Sequence, residues 1–157
     1  MLRIPAPIHR FVLRMVQPVR LRLWGLLARE VEGIMVLGFA DDGRLVLVRH
    51  SYHLPDQWLV PGGGRHPHED ILTAARRELA EEVGCTLHDP VHLGRIVRAM
   101  PQGWTNRIEV VSGRITGTPI ADGREIIAAA LHDPAALPAQ THASVREYLA
   151  LRAGLER

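Results

Sequence analysis

Lysine is missing from this sequence, cysteine occurs once, and no apolar run is long enough to span a bilayer. The 157 residues include 19 basic side chains, all of them arginine, and the single cysteine is Cys85. One cysteine excludes an intrachain disulfide and a cysteine-rich metal site. A spanning helix needs about 18 or more apolar residues, whereas the longest clean runs here, such as residues 33–40, have strand length. We therefore expect a cytoplasmic protein without a membrane span.

The absence of lysine says little about partners. Arginine grips phosphate bidentately, but codon bias in a GC-rich genome produces the same composition, and we prefer that explanation. The net charge of +2 is too small to indicate nucleic acid, so we predict no stable nucleic-acid partner. The length and the 46% hydrophobic content suit one compact domain with its own core.

The beginning of the chain differs from the rest. Residues 1–30 contain six arginines and no acid before Glu30. Apolar residues recur at helical spacing until Pro18 ends or kinks the segment, and residues 19–30 suit a second short helix or the start of a strand. We predict a basic helical extension over 1–30, packed on the domain or on a second copy in a homodimer rather than on a membrane surface. The functional domain then covers 31–157.

From Glu32 onward, strand and helix patterns alternate. Asp42-Gly43 is a hairpin turn signal between two apolar segments. The patterns predict strands over 33–40, 44–50, 59–64, 93–100, 107–115 and 125–131, and helices over 70–83 and 141–153. Asp70 and Thr141 are the expected N-caps, and Gly84 is the expected left-handed C-cap. Together they predict one mixed α/β domain.

The helix predicted over residues 70–83 is crowded with acids. Its apolar stripe, which should face the core, consists of Leu72, Ala75, Leu79 and Val83. Glu78, Glu81 and Glu82 cluster on the neighbouring stripe, where like charges destabilise a helix by about 0.2–0.5 kcal/mol per pair. A solvated surface tolerates so small a penalty. Taken alone, the three glutamates indicate surface rather than a site.

The residues around this helix change that interpretation. Their spacing resembles the Nudix box, G-x5-E-x7-R-E-U-x-E-E-x-G-U with U apolar. The eight matching positions are Gly63, Glu69, Arg77, Glu78, Leu79, Glu81, Glu82 and Gly84. With each residue type at about 7% of ordinary sequence, the chance of such a match at one start is about 10⁻⁹. Departures are mild: Cys85 takes the last apolar position, and His66 and His68 stand where an acid and a glycine are common.

The resemblance covers about residues 32–138 and implies a fold and an activity. The implied fold is an α/β/α sandwich with a mixed β-sheet. The implied activity is hydrolysis of the pyrophosphate bond in a nucleoside diphosphate linked to a group X. The resemblance also implies a metal site of Glu78 and Glu82, completed by Glu81 and the backbone carbonyl of Gly63. Mg²⁺, with Mn²⁺ as a substitute, suits such oxygen ligands and shares them with phosphates.

The resemblance leaves the other roles less defined. Arg77 is expected to pair with Glu69 and hold it in place. The base that takes a proton from water is Glu81 or an acid later in the chain, with Glu125 preferred to Glu109.

Substrate contacts are expected from Arg49, Trp58, Gly62 and Gly64. Tyr52, Trp58 and Trp104 can stack on a base, or pack in the core as tryptophan and tyrosine commonly do.

Three functions remain open at this point. The first is a hydrolase of a small nucleotide, such as ADP-ribose, a nucleotide sugar or a nucleoside triphosphate. The second is an RNA 5′-end pyrophosphohydrolase, which the modest net charge does not favour. The third is a non-catalytic nucleotide sensor on the same fold, which the complete set of box acids disfavours.

Overall fold

The computed structural model describes residues 30–51, 54–123 and 125–155. Residues 1–29 of the predicted extension, and Tyr52, lie outside this part. Glu30, which we assigned to the extension, instead begins the first strand. The elements are β1 (Glu30–Phe39), β2 (Leu45–His50), β3 (Gly62–Gly64), α1 (Ile71–Val83), β4 (Thr86–Ala99), β5 (Thr105–Thr116), β6 (Ile126–His132) and α2 (Ala143–Leu155).

The strands form one mixed six-stranded sheet. Its order is β4-β5-β1-β2-β6, and β3 pairs with β1 outside this path. The pairing of β1 with β5 is parallel, and the others are antiparallel. Along β1 the register carries Ile34 opposite Gly63 on one side and opposite Glu109 on the other. The mixed α/β sheet is therefore confirmed.

Each face of the sheet is covered by one helix, because alternate residues of a strand point to opposite faces. On one face Val36 and Val48 pack with Leu79 of α1. On the other face Leu37 and Leu47 pack in a second core with residues of α2. The sheet and the helix on each of its faces form the α/β/α sandwich that the resemblance implies. Within the described residues, no helix has the length and hydropathy to cross a membrane.

The caps of α1 are confirmed, whereas that of α2 is wrong. The Thr73 N–H donates to Asp70 Oδ2 at 3.0 Å, and Gly84 ends α1 with a left-handed φ of 68°. Helix α2 begins at Ala143, so Thr141 stands too early to cap it. The Nδ1 atom of His142 accepts a hydrogen bond from the Ser144 N–H instead (3.2 Å).

Strand β4 begins at Thr86, seven residues before the predicted start at residue 93. The turn-like Asp89-Pro90 pair conceals this part of the strand. It lies where the register with β5 shifts, between His88 and Val91. An edge strand tolerates proline at such an irregularity.

Candidate active site

The glycines of β3 and the acids of α1 line one cleft of about 340 Å³. Its lining residues are Gly62, Gly63, Gly64, Glu78, Glu81, Glu82 and Glu125. The structure thus brings together the box glutamates, three predicted backbone contacts and the preferred later acid. Seven of the eleven predicted site residues meet here, and Glu69 and Arg77 adjoin them through the hydrogen bonds described below.

Close approach of α1 to β3 requires glycine at position 63. A Cβ atom on Gly63 would lie 2.4 Å from Glu78 Oε2 and 2.7 Å from its carboxyl carbon. These distances are shorter than any normal contact, so a side chain here would displace the Glu78 carboxylate. One residue earlier, the Gly62 N–H donates to Glu82 Oε2 at 2.9 Å. Strand β3 therefore contacts the carboxylates of Glu78 and Glu82 through its main chain alone.

Arg77 pairs with Glu69, as predicted, and also contacts β3 and two acids of α1. Its Nε and Nη2 atoms donate to the two carboxylate oxygens of Glu69, each at 2.8 Å. Its Nη1 atom donates to Glu78 Oε1 at 2.8 Å and to Glu81 Oε2 at 3.3 Å. A further bond from Nη2 reaches the Gly64 carbonyl at 3.0 Å. One guanidinium group thus connects the loop, the helix and β3.

The pairing fixes the ionisation of Glu69. Hydrogen bonds from the Arg77 side chain, and next from the His66 N–H, lower the pKa of Glu69 to about 2. The same pairing raises the pKa of Arg77. The hydrogen bond with Glu69 contributes most to this rise, and the hydrogen bond with Glu78 adds to it. Glu69 is therefore an ionised anchor for Arg77. An acid with so low a pKa is a poor proton acceptor near neutral pH.

The carboxylates facing β3 have the opposite tendency. Burial raises the pKa of Glu82 to about 8, against the hydrogen bond from Gly62, and the charges of Glu78, Glu125 and Asp122 add to the rise. Burial also raises the pKa of Glu78, whose hydrogen bond from Arg77 opposes the shift. Two acids are thus held in an environment that disfavours their charge.

This donor set fits a hard divalent cation. Carboxylate oxygens and glycine carbonyls are the ligands such ions prefer, and a cation would relieve the repulsion among the acids. Within the part of the chain that the structure describes, no three metal-binding side chains already converge as a ligand cluster. Arg77 contacts one carboxylate oxygen each of Glu78 and Glu81, and Glu78 Oε2 faces Gly63.

The two later acids occupy different surroundings. Glu125 precedes β6 and lines the cleft, and its carbonyl accepts a hydrogen bond from the Ser51 N–H at 2.8 Å. Glu109 is 1% exposed and lies outside the cleft lining. Its carboxylate contacts His92 Nε2 at 2.7 Å and Arg95 Nε at 2.5 Å. This placement supports the preference for Glu125 as the later acid.

Arg49 and Trp58 lie apart from the carboxylates. The Arg49 guanidinium group is 6.0 Å from the Trp58 ring centroid, and that ring meets His132 edge-on at 4.8 Å. Trp58 also packs against the core on the α2 side of the sheet. Neither residue lines the cleft, so their role in substrate binding stays a prediction. Trp104 is 6% exposed and packs in the interior.

Sequence reasoning missed three charged residues near the site. Asp122 adds its charge to the surroundings of Glu82. Arg65 and Glu32 form an ion pair that joins the box loop to β1. Arg65 stands at an unspecified position of the motif, and only its closeness to Gly63 in the sequence indicated a role.

Known proteins share the motif and the fold. The NUDIX domain model matches residues 30–151. Diphosphoinositol polyphosphate phosphohydrolase 2 of Mus musculus is 54% identical over 39 residues, 25% of this chain and 22% of that protein. RNA pyrophosphohydrolase of Caulobacter vibrioides is 50% identical over 52 residues, 32% of this chain and 30% of that protein. The chain therefore aligns with less than a third of each relative.

Solved structures extend the likeness to the whole fold. The MutT Nudix hydrolase of Burkholderia pseudomallei superimposes with a TM-score of 0.69 at 21% identity, covering 78% of this chain and 97% of that one. The MutT protein of Methanosarcina mazei gives a TM-score of 0.66 at 18% identity, covering 82% and 97%. With the domain match over most of its length and the full set of box residues, this chain belongs to the Nudix family.

Proposed function

We propose that this protein is a metal-dependent hydrolase that cleaves the pyrophosphate bond of a nucleoside diphosphate derivative by attack of water on phosphorus. One observation carries the proposal: the acids of α1 meet the bare backbone of β3 in a single cleft. Glu78 Oε2 faces Gly63, and Glu82 accepts from the Gly62 N–H. Such a site offers oxygen ligands and little side-chain bulk, as a phosphate-bound cation requires.

Nudix hydrolases in general use divalent metal ions. Here Glu78 and Glu82 would be the principal ligands, with Glu81 and the Gly63 carbonyl completing the set. When bound, Mg²⁺ or Mn²⁺ neutralises phosphate charge and lowers the pKa of a coordinated water. Because ligands bind as carboxylates, Glu82 must lose its proton, and its raised pKa makes binding pH-dependent.

The remaining acids divide the other tasks. Glu69 stays ionised and anchors Arg77, which orients Glu78 and Glu81. Either Glu81 or Glu125 takes the proton of the attacking water. The Glu81 side chain is 61% exposed and therefore accessible to solvent, and Glu125 faces the same cleft from before β6. Both geometries suit a base, and kinetics of Glu81→Gln and Glu125→Gln will separate them: the true base should lose about 10²-fold or more in kcat.

For the substrate we propose a small nucleotide, namely ADP-ribose, a nucleotide sugar or a nucleoside triphosphate. The names of the two relatives refer to a diphosphoinositol polyphosphate and to RNA. Both alignments cover a limited part of the chain, so they support the phosphoanhydride chemistry and leave X open. An RNA 5′-end pyrophosphohydrolase is the second candidate, because one relative carries that name.

The test is turnover of a substrate panel in ¹⁸O-labelled water with Mg²⁺ or Mn²⁺. The panel contains ADP-ribose, nucleotide sugars, nucleoside triphosphates and a 5′-triphosphorylated RNA. We expect a nucleoside monophosphate as one product of the diphosphate-linked substrates, and mass spectrometry of the label identifies the phosphorus attacked. No turnover with any member of the panel would favour the nucleotide-sensor function instead.

Two further expectations are part of this proposal. The cytoplasmic location and the homodimer stay predictions, and light scattering of the purified full chain tests the second. We place no nucleic acid among its stable partners.

A further inference from the structure

Arg65 joins the box loop to the central sheet. Its Nη1 atom donates to the Glu69 carbonyl at 2.9 Å, and its Nη2 atom pairs with the carboxylate of Glu32 on β1. Its own N–H donates to the Glu32 carbonyl at 3.1 Å, which continues the pairing of β3 with β1. The side chain is 18% exposed. Three contacts thus tie this arginine to two elements.

These contacts continue into the carboxylate cleft. Arg65 holds the main chain of Glu69, and the Glu69 side chain holds Arg77 through two bonds. Arg77 in turn holds Glu78 and Glu81. Acid and base alternate along the whole path, from Glu32 to the box glutamates. Ion pairs join Arg65 to Glu32 and Arg77 to the acids, and the bond from Arg65 to the Glu69 carbonyl connects these two groups.

Among the described residues, the remaining hydrogen bonds of the loop do not reach the sheet. The hydrogen bonds between His66 and Glu69 lie within the loop. His68 adopts a left-handed φ of 65°, a conformation that is unfavourable for a residue with a Cβ. Arg65 supplies a charged tie from the loop to β1, and Arg77 supplies the tie to α1.

We propose that Arg65, anchored on Glu32, is a positioning residue for the metal-binding carboxylates. This inference rests on the proposed function, and it adds a residue outside the specified positions of the motif. Loss of the anchor frees the Glu69 main chain, which loosens Arg77 and lets Glu78 and Glu81 leave their orientation. Outer partners of metal ligands commonly change metal affinity or activity by about 10–100-fold. Because Arg65 acts through two further residues, we expect about tenfold.

The experiment compares Arg65→Met, Glu32→Gln and the double variant in the full chain. The matched control is Arg98→Met, which removes an ion pair with Glu147 between β4 and α2. Free Mn²⁺ measured by electron paramagnetic resonance gives the metal affinity without any turnover. The Mn²⁺ concentration for half-maximal activity gives a second value. Thermal melting reports the fold.

For Arg65→Met we expect about tenfold weaker Mn²⁺ binding and a similar rise in the half-activating concentration. The double variant should match that single variant, because the two residues act as one unit. The Mn²⁺ affinity of Arg65→Lys should lie between those of the wild type and Arg65→Met, since one ammonium nitrogen cannot bind both acceptors as the guanidinium group does. Arg98→Met should melt at a lowered temperature like Arg65→Met, yet bind Mn²⁺ as the wild type does.

Unchanged Mn²⁺ affinity in both Arg65→Met and Glu32→Gln would overturn the inference, as would additive effects in the double variant. Should Arg65→Met fail to fold, Glu32→Gln decides alone, because it keeps the side-chain shape. Failure of the proposed function is recognised separately: Glu82→Gln would then bind Mn²⁺ as the wild type does, whatever Arg65 does.

Discussion

Two regions of this protein enclose glutamates, one on the sheet and one on α1, and their surroundings treat the carboxylate charge in opposite ways. Glu109 on β5 is 1% exposed, and His92 and Arg95 both contact its carboxylate. Burial raises the pKa of Glu78 and Glu82 on α1, and the charges of neighbouring acids add to the rise. The first carboxylate is compensated by the protein itself. The second pair is compensated only in part, by Arg77 and the Gly62 N–H, and this remaining negative charge supports the proposed cation site.

The strongest test of this contrast exchanges each glutamate for glutamine. Glu82→Gln should reduce kcat by about 10³-fold or more while the fold survives, because a metal ligand is lost and charge repulsion falls. Glu109→Gln should keep most of its turnover but lose about 1–3 kcal/mol of stability, because charge-assisted hydrogen bonds are weakened. Steady-state kinetics and urea unfolding measure the two effects. A large loss of kcat in Glu109→Gln would revive Glu109 as the base.

A second test introduces a methyl group between strand and helix. Gly63→Ala places a Cβ atom at 2.4 Å from Glu78 Oε2. The flexible carboxylate can move away, so the fold should survive while metal affinity falls by about 10–100-fold. In Gly64→Ala the added Cβ meets no atom within 4 Å, and metal affinity should stay within about twofold, whatever happens to substrate binding. Isothermal titration with Mn²⁺ compares the two variants, and equal affinities would contradict the assignment of Gly63.

The third test uses pH. The pKa of Glu82 is about 8 in the folded chain and 4.5 without the fold, so between these values the folded state binds more protons. Stability of the metal-free protein should therefore fall as pH rises from about 5 to 8. We expect a loss on the order of 1–2 kcal/mol from this group, because solvent screening reduces the ~1.4 kcal/mol that each pKa unit of the shift would otherwise contribute.

Glu82→Gln is the control for this pH dependence, because it removes the titrating group. The difference between wild type and variant isolates the contribution of Glu82 from that of every other group. The low pKa of Glu69 acts elsewhere: its stabilisation is lost only as pH falls below about 4.5 toward 2. A difference that stays constant from pH 5 to 8 would show that Glu82 is not perturbed.

The smallest expected effect concerns the loop before α1, which carries Glu69, the partner of Arg77. His68→Gly should raise stability by about 0.5–1 kcal/mol, because glycine adopts the left-handed φ of 65° without a Cβ penalty. His66→Gly is the comparison, since His66 is not among the residues of positive φ. Thermal melting of both variants measures the difference. A loss of stability in His68→Gly would show that the histidine ring makes contacts worth more than the backbone penalty.

Sequence alone predicted the parts of the site that depend on local spacing. The α1 caps, the acidic stripe and the pairing of Arg77 with Glu69 all depend on positions along one helix and its preceding loop. Residues brought together by long-range pairing were not predictable in this way. Glu32 precedes Arg65 by 33 positions, and only the pairing of β1 with β3 makes them neighbours. The same holds for Asp122 beside Glu82.

Local patterns also misled at two strand boundaries. Asp89-Pro90 looks like a turn, and only the pairing with β5 shows that β4 continues through it. Glu30 looks like the end of a basic extension, yet it stands opposite Thr105 at the start of the parallel β1–β5 pair. A parallel pairing leaves no turn signal in the sequence, because its two strands are far apart along the chain.

The two firm ends of α1 have a consequence for ligand capture. Asp70 stops the helix at one end and Gly84 at the other, so the crowded acids cannot separate by fraying of the terminal turns. The backbone positions of these acids are therefore set before any ion binds, which reduces the conformational freedom lost on binding. A helix capped at both ends thus keeps its acids at a close spacing, and a counterion would relieve their repulsion.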